Sequence, residues 1–162
     1  MFVIFRAITY ATLFIGFLLI YLPARLLASA GIVRPPEIAA PQIAGMIVGS
    51  IGAALALWCI FTFATIGKGT PAPFDPPRKL VIRGPYRFVR NPMYVGAILA
   101  LAGAALFYKS APLLAYAAAF LVVCHIFVLA YEEPTLRRRF GPEYEAYCER
   151  VKRWWPAERP GA

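Results

Sequence analysis

Two polar clusters interrupt an otherwise apolar chain, and both carry residue types that can do chemistry. The first is Arg83-Gly84-Pro85-Tyr86-Arg87-Phe88-Val89-Arg90-Asn91-Pro92-Met93-Tyr94-Val95-Gly96, which gathers guanidiniums (Arg83, Arg87, Arg90), aromatic faces (Tyr86, Phe88, Tyr94) and an amide, Asn91. The second is the adjacent carboxylate pair Glu132-Glu133. Arginine grips a carboxylate through two parallel hydrogen bonds, aromatic faces stabilise a cation, and glutamate accepts from hydroxyl or ammonium donors. If the clusters meet, they suit a zwitterionic ligand with a carboxylate, a positive centre and an adenine or sugar bearing hydroxyls. The plainer alternative is that Glu132 and Glu133 mark a membrane boundary and pair with nearby arginines.

His125 is the single histidine. On a helix it lies seven residues before Glu132, about 10 Å deeper on roughly the same face. An ionisable group inside an apolar run is a functional candidate, to be weighed against a neutral imidazole bonded to a neighbouring helix. Tyr10, Tyr116 and Cys124 read as packing residues.

The elements that must position these groups are membrane helices. With 162 residues and 60% hydrophobic content, the chain reads as a single membrane domain, residues 1–162. The net charge of +9 suits an anionic lipid surface, and nucleic acid is not expected as a partner. Cys59, Cys124 and Cys148 are far apart and show no C-x-x-C spacing, so neither a disulfide framework nor a metal site is expected. The expected fold is an all-α integral membrane protein with about four transmembrane helices, a cytosolic connector and a C-terminal amphipathic helical tail.

Apolar runs predict spans over residues 2–22, 42–66, 94–108 and 111–131. Ala28-Ser29-Ala30 resembles a signal-peptidase site, but the run before it is long for a signal peptide and ends well upstream, so an uncleaved first span is expected. Residues 23–41 read as a connector with a partial interfacial helix. Gly45, Gly49, Gly52, Ala53 and Ala56 give the second span a small-residue face for close helix contact, read as packing within one bundle rather than as a dimer motif. In the connector 67–93, prolines exclude a regular helix from the first half. Gly67-Lys68-Gly69-Thr70 lacks the spacing of a phosphate loop.

That connector carries Lys68, Arg78, Lys79, Arg83, Arg87 and Arg90, whereas the turn between the last two spans carries only Lys109. The positive-inside rule therefore places the connector and the C-terminus in the cytosol. In the tail, Leu136, Phe140, Tyr144, Tyr147, Val151 and Trp154 recur at helical spacing, with a break at Gly141-Pro142. Glu143 and Glu145 then fall in the first turn of a helix, and Arg150, Lys152 and Arg153 near its end, matching the dipole. Trp154 and Trp155 suit a membrane-interface position.

Gly84-Pro85-Tyr86-Arg87-x-x-Arg90-Asn91-Pro92-x-Tyr94-x-Gly96, a membrane hairpin, Glu132-Glu133-x-x-Leu136, then Phe140-Gly141-x-x-Tyr144-x-x-Tyr147 and a terminal Trp-Pro form an ordered set. This set resembles the isoprenylcysteine carboxyl methyltransferase and phospholipid methyltransferase superfamily. The resemblance implies an integral-membrane enzyme that binds S-adenosylmethionine on the cytosolic side, in the half spanning about 67–156. It also implies a lipophilic acceptor entering from the bilayer. Arg90, Asn91, Pro92 and Tyr94 match the family's Arg-His-Pro-x-Tyr element, and Glu132 with Glu133 match its paired glutamates. The implied cofactor-binding set is Arg83, Tyr86, Arg90, Asn91, Pro92, Tyr94, Glu132 and Glu133. Asn91 stands where many members have histidine, and an amide does not titrate near neutral pH, so no general base is expected there.

The chemistry so implied is methyl transfer from an activated sulfonium to an isoprenylcysteine-like carboxylate, a thiol or a lipid amine. A carboxylate acceptor needs no base. A thiol or amine needs one, with Glu132, Glu133 and His125 as candidates. The rivals are an NADPH-dependent reductase of sterol or steroid type, against which Ala97 counts where those enzymes carry an acid, and a non-catalytic membrane subunit. Expected partners are a lipid-linked or lipophilic substrate and membrane lipids; the sequence leaves oligomeric state open.

Overall fold

The computed structural model describes residues 15–32, 37–67 and 79–156. Several of its helices begin at prolines. Pro41, Pro92, Pro112 and Pro142 each sit in the first turn of a helix, where a missing N–H forfeits no helical hydrogen bond and the fixed φ favours helix entry. The resulting elements are α1 (Leu22–Ser29), α2 (Ala40–Thr62), α3 (Pro92–Tyr108), α4 (Ala111–Phe127), α5 (Glu133–Phe140) and α6 (Pro142–Arg150). Among the described residues there is no strand, only an isolated parallel bridge between Val89 and Lys152.

Among the described residues, two helices are long and apolar enough to cross a bilayer: α2, with 23 residues, and the continuous helix Ala111–Phe140, with 30. Gly16–Ser29 and Pro92–Tyr108 are shorter apolar helices. Large apolar side chains face outward, among them Ile47, Ile51, Leu57 and Phe61 on α2 and Leu114, Val122, Val123 and Ile126 on α4. An apolar exterior of this extent fits a membrane protein.

Several expected boundaries shift. The first apolar run is described only from residue 15, its earlier part lying outside the described residues. There the helix does not stop at Leu22 but continues through Pro23 to Ser29, taking up the first part of the expected connector. The last apolar helix likewise runs past Tyr131 to Phe140. Both continuations pass a proline after a wider π-helical turn, Ile15–Tyr21 before Pro23 and Val128–Glu132 before Pro134. Proline removes one i→i−4 bond and crowds the carbonyl four residues back, and a wider turn relieves that conflict without ending the helix. Lys68, Arg78 and the proline-rich part of the connector lie outside the described residues.

α2 and α3 run antiparallel through a seam of small residues. A Cβ on Gly52 would stand 2.5 Å from Ala100 N and 2.6 Å from Gly96 O, and one on Gly96 would stand 2.8 Å from Gly52 O. Gly45 meets Gly103 and Phe107 in the same way. Gly45, Gly49, Gly52 and Ala56 of the small face therefore pack inside the chain, whereas Ala53 is exposed. Gln42, fully buried at the end of this seam, donates to Phe107 O at 3.1 Å and accepts from Ala39 N at 3.2 Å.

α3 and α4 form a tight hairpin. Lys109 takes the left-handed conformation, and the Ser110 hydroxyl accepts from Leu113 N at 3.3 Å, capping α4. Between them lies a core of Ala97, Leu101, Ala117, Phe120 and Cys124. Tyr116 does more than pack: its hydroxyl donates to Leu18 O at 2.8 Å, tying the N-terminal helix to the hairpin.

Candidate functional site

The polar segment before α3 is anchored first by a turn. Gly84–Arg87 forms a 3₁₀ turn that rests on the end of α2. Gly84 has φ +59, and a Cβ there would approach Thr62 Oγ1 to 2.9 Å, so both conformation and space require glycine. The turn buries Tyr86 beside Cys59 and Val81. Burial above all, and then the neighbouring Cys59 and Glu132, hold the Tyr86 phenol well above its ordinary range, so it stays a neutral donor. Tyr147 of α6 donates to Tyr86 O at 2.6 Å and clamps the turn from the other side.

A second anchor comes from the tail. α6 ends at Arg150, and Val151 is extended. Lys152 and Arg153 therefore do not sit in the last turn of that helix, as their order after Glu143 and Glu145 suggested. They run instead beside Val89–Asn91, where open peptide groups need partners. Arg90 N donates to Lys152 O at 2.9 Å, and both Asn91 N and Asn91 Nδ2 donate to Arg153 O at 3.3 Å. Asn91 thus uses its side chain to hold the tail.

These anchors bring three segments onto one carboxylate. Arg153 grips Glu133 in two-pronged fashion, Nε to Oε1 at 2.7 Å and Nη2 to Oε2 at 3.0 Å, and Arg90 Nη1 stands 3.3 Å from Oε1. Side-chain exposure is 8% for Glu133 and 11% for Arg90 but 29% for Arg153, so the carboxylate is buried while one of its guanidiniums reaches solvent, and its removal costs more than that of a surface pair. Arg90 also lies against Cys148 Sγ, and its Nε is a buried donor with no partner among the described residues.

Glu132 faces elsewhere. Neighbouring residues on a helix point ~100° apart, and Glu132 Oε2 accepts from Tyr94 Oη of α3 at 3.1 Å. Two helical turns away, His125 Nδ1 accepts from Trp154 Nε1 at 3.0 Å. The tail thus reaches both Glu133, through Arg153, and the histidine, through Trp154. Trp154 is partly buried against the hairpin core, whereas Trp155 is exposed.

Of the residues singled out in the sequence, the structure gathers Arg90, Asn91, Tyr94, Glu132 and Glu133 around the junction of α3, α5 and the tail, with Tyr86 beneath it. Pro92 is buried as the first residue of α3. Arg83 is exposed, ahead of the 3₁₀ turn. Arg87 is exposed over the Phe88 ring, 5.0 Å from its centroid. Arg153 and the contact of Trp154 with His125 were not foreseen. Their only signal was the Trp-Pro ending, because nothing local to Arg153 points to a partner 20 residues away. Tyr144 and Tyr147 pack with Leu136 and Phe140, as their helical spacing predicts, whereas Val151 joins them from extended backbone and Trp154 leaves that face for the hairpin core. Burial pushes the phenols of Tyr144 and Tyr147 up, keeping both protonated under that cluster.

The family model described as phospholipid methyltransferase matches residues 40–143, well over half of the chain. The chain belongs to the phospholipid methyltransferase family. That family is part of the superfamily that includes the isoprenylcysteine carboxyl methyltransferases, and membership supports an enzyme that transfers methyl groups to lipid-type substrates. The match contains Arg90, Tyr94, Glu132 and Glu133 but stops before Tyr147, Arg153 and Trp154. No curated protein and no solved structure matches the chain.

Proposed function

We propose that this phospholipid methyltransferase family member transfers a methyl group from S-adenosylmethionine to a lipophilic acceptor at the cytosolic face of a membrane that it crosses four times. The observation that carries the reading is the meeting of the Arg90–Tyr94 segment with Glu132 and Glu133 in a chain of this family. The donor set suits the cofactor. Arg90 holds a buried, unpartnered Nε of the kind a carboxylate satisfies, and Glu132 Oε1 takes no hydrogen bond among the described residues. The ring of Tyr94 offers a face for a positive centre, with the buried Tyr86 supporting the turn beneath it.

S-adenosylmethionine supplies a methyl group already activated on a sulfonium. The protein's residues bind, orient and exclude water, which together remove much of the entropic barrier. In this reading Glu132 accepts from ribose hydroxyls or the ammonium, and Arg90 faces the carboxylate. Glu133, occupied by two guanidiniums, holds the junction together. Asn91 and Pro92 fix the path of the chain, and Arg83 contributes an exposed cation before the turn. Where the acceptor is an amine or thiol, Glu132 is the carboxylate placed to take its proton; an isoprenylcysteine-like carboxylate needs none.

The four-span topology rests on the two longer helices plus the two shorter apolar ones, with tilt or local thinning accommodating the short pair. The cytosolic placement rests on the basic connector, of which Lys79, Arg83, Arg87 and Arg90 are described, and on the basic tail. Residues 67–156 form the cofactor half of a single domain.

Calorimetric titration of purified protein in detergent with S-adenosylmethionine and S-adenosylhomocysteine, with NADPH as control, tests the reading. Saturable binding of the sulfur nucleosides, weakened about tenfold or more in Glu132→Gln, is expected; tenfold corresponds to about 1.4 kcal/mol. Binding of NADPH alone, or of neither by folded protein, would sink it.

A further inference from the structure

His125 is half-buried on α4, at the margin of that helix's outward apolar face. Leu121 and Leu129, one turn to either side, are both exposed, as are Val122 and Ile126, whereas Cys124 and Val128 are buried. The imidazole therefore stands on the seam between the protein interior and the surrounding lipid. One of its nitrogens is committed: Trp154 Nε1 lies 3.0 Å from His125 Nδ1, with the ring centroids 5.9 Å apart.

An indole N–H can only donate. The nitrogen that faces it must offer a lone pair, and in a neutral imidazole the proton then sits on the other nitrogen. Nε2 consequently carries an N–H. It has no hydrogen-bond partner among the described residues, and an N–H in hydrocarbon without an acceptor is costly. The acceptor that a bilayer offers below its headgroups is the ester-carbonyl oxygen. His125 lies about 10 Å along the helix from Glu132, which places it below any lipid head held at the glutamates, on the side where the glycerol esters lie.

We propose that Trp154 fixes His125 in the Nε2–H form, and that His125 thereby donates a hydrogen bond to the ester carbonyl of a lipid bound against α4. His125 is then a binding residue for the lipid, and Trp154 a positioning residue that acts through it. The inference rests on the lipid-type acceptor proposed above. It removes His125 from the candidate bases, because the nitrogen open to a ligand already bears a proton.

Because the chain has one histidine, histidine-selective ¹⁵N labelling gives a single pair of ring resonances. The full-length protein would be placed in ether-linked lipid bilayers, and ester-linked phosphatidylethanolamine added stepwise. Expected are a pyridine-type Nδ1, a pyrrole-type Nε2 with an attached proton, and a downfield shift of that proton which saturates at a low fraction of ester lipid. In Trp154→Phe the proton distributes over both nitrogens and the shift weakens. A proton on Nδ1, protons on both nitrogens at neutral pH, no shift, or a shift strictly proportional to ester content would each overturn the proposal, the last because it reports bulk lipid. Wild-type spectra alone decide these outcomes, so a Trp154→Phe protein that fails to fold does not obscure them. Calorimetry with S-adenosylhomocysteine on the same sample reports separately on the methyltransferase reading.

Discussion

Along the α2–α3 seam, two helices meet because side-chain atoms are missing; at the junction of Arg90, Glu133 and Arg153, three segments meet because charged atoms are present. At the seam Gly45, Gly52, Gly96 and Gly103 let backbones touch, and each residue is non-polar and replaceable only by nothing larger. At the junction a carboxylate is enclosed by guanidiniums from segments before α3 and after α6. The seam makes a rigid wall, and the junction makes a site that is complete only when both partners arrive. The difference teaches where specificity resides: shape holds the helices, and charge selects the arrangement of their polar ends.

The seam side of the comparison is broken at Gly52. Gly52→Val sets a branched side chain against backbone atoms on α3, which cannot swing away, and should cost about 3 kcal/mol or more. Thermal unfolding in detergent should show a large fall in Tm or loss of folded protein; an unchanged Tm would mean that the helices do not meet this closely. At the junction, Glu133→Ala leaves two guanidiniums facing each other without their carboxylate, and a loss of about 3–5 kcal/mol is expected. If Glu133→Ala unfolds no more easily than wild type, the cluster is solvated and the contrast with the seam disappears.

Smaller effects sharpen the same contrast. Tyr147→Phe removes one buried hydrogen bond to Tyr86 O and should cost about 1 kcal/mol, read as a modest Tm shift with the fold retained. Gly49→Ala is the control within the seam. Its Cβ would find its nearest neighbours at 3.8 and 3.9 Å, ordinary contact, so stability should change by less than about 0.5 kcal/mol. A loss at Gly49 comparable with that at Gly52 would show that the seam is uniformly tight and the graded distances wrong.

The seam was legible in the sequence because glycine and alanine spacing on an apolar helix has one main physical use, close approach. The break at Gly141-Pro142 and the apolar face of Leu136, Phe140, Tyr144 and Tyr147 were legible for a similar reason: each is a local rule about backbone or periodicity. The ends of the apolar helices were less so. Hydropathy marks where apolar residues stop, whereas the backbone continues as a helix through Pro23 and Pro134 once a wider turn makes room. At the candidate site, the meeting of Arg90 and Tyr94 with Glu132 and Glu133 followed from ordered motifs. Arg153 did not, because its charge also suited a helix end, and choosing between these uses depends on Val151 turning extended. Trp154 suited an interface by type alone; its contact with His125 depends on the path the tail takes after that turn.

That path has a consequence for biosynthesis. Arg153 follows Glu133 by 20 residues, so at about 5–20 residues per second the carboxylate is synthesised roughly one to four seconds before its guanidinium partner. Until Arg153 and Trp154 are made, Asn91, Glu133 and His125 lack what the tail gives them. Translation order thus sets assembly order: the polar end of the α3–α4 hairpin can close only after the tail has been synthesised.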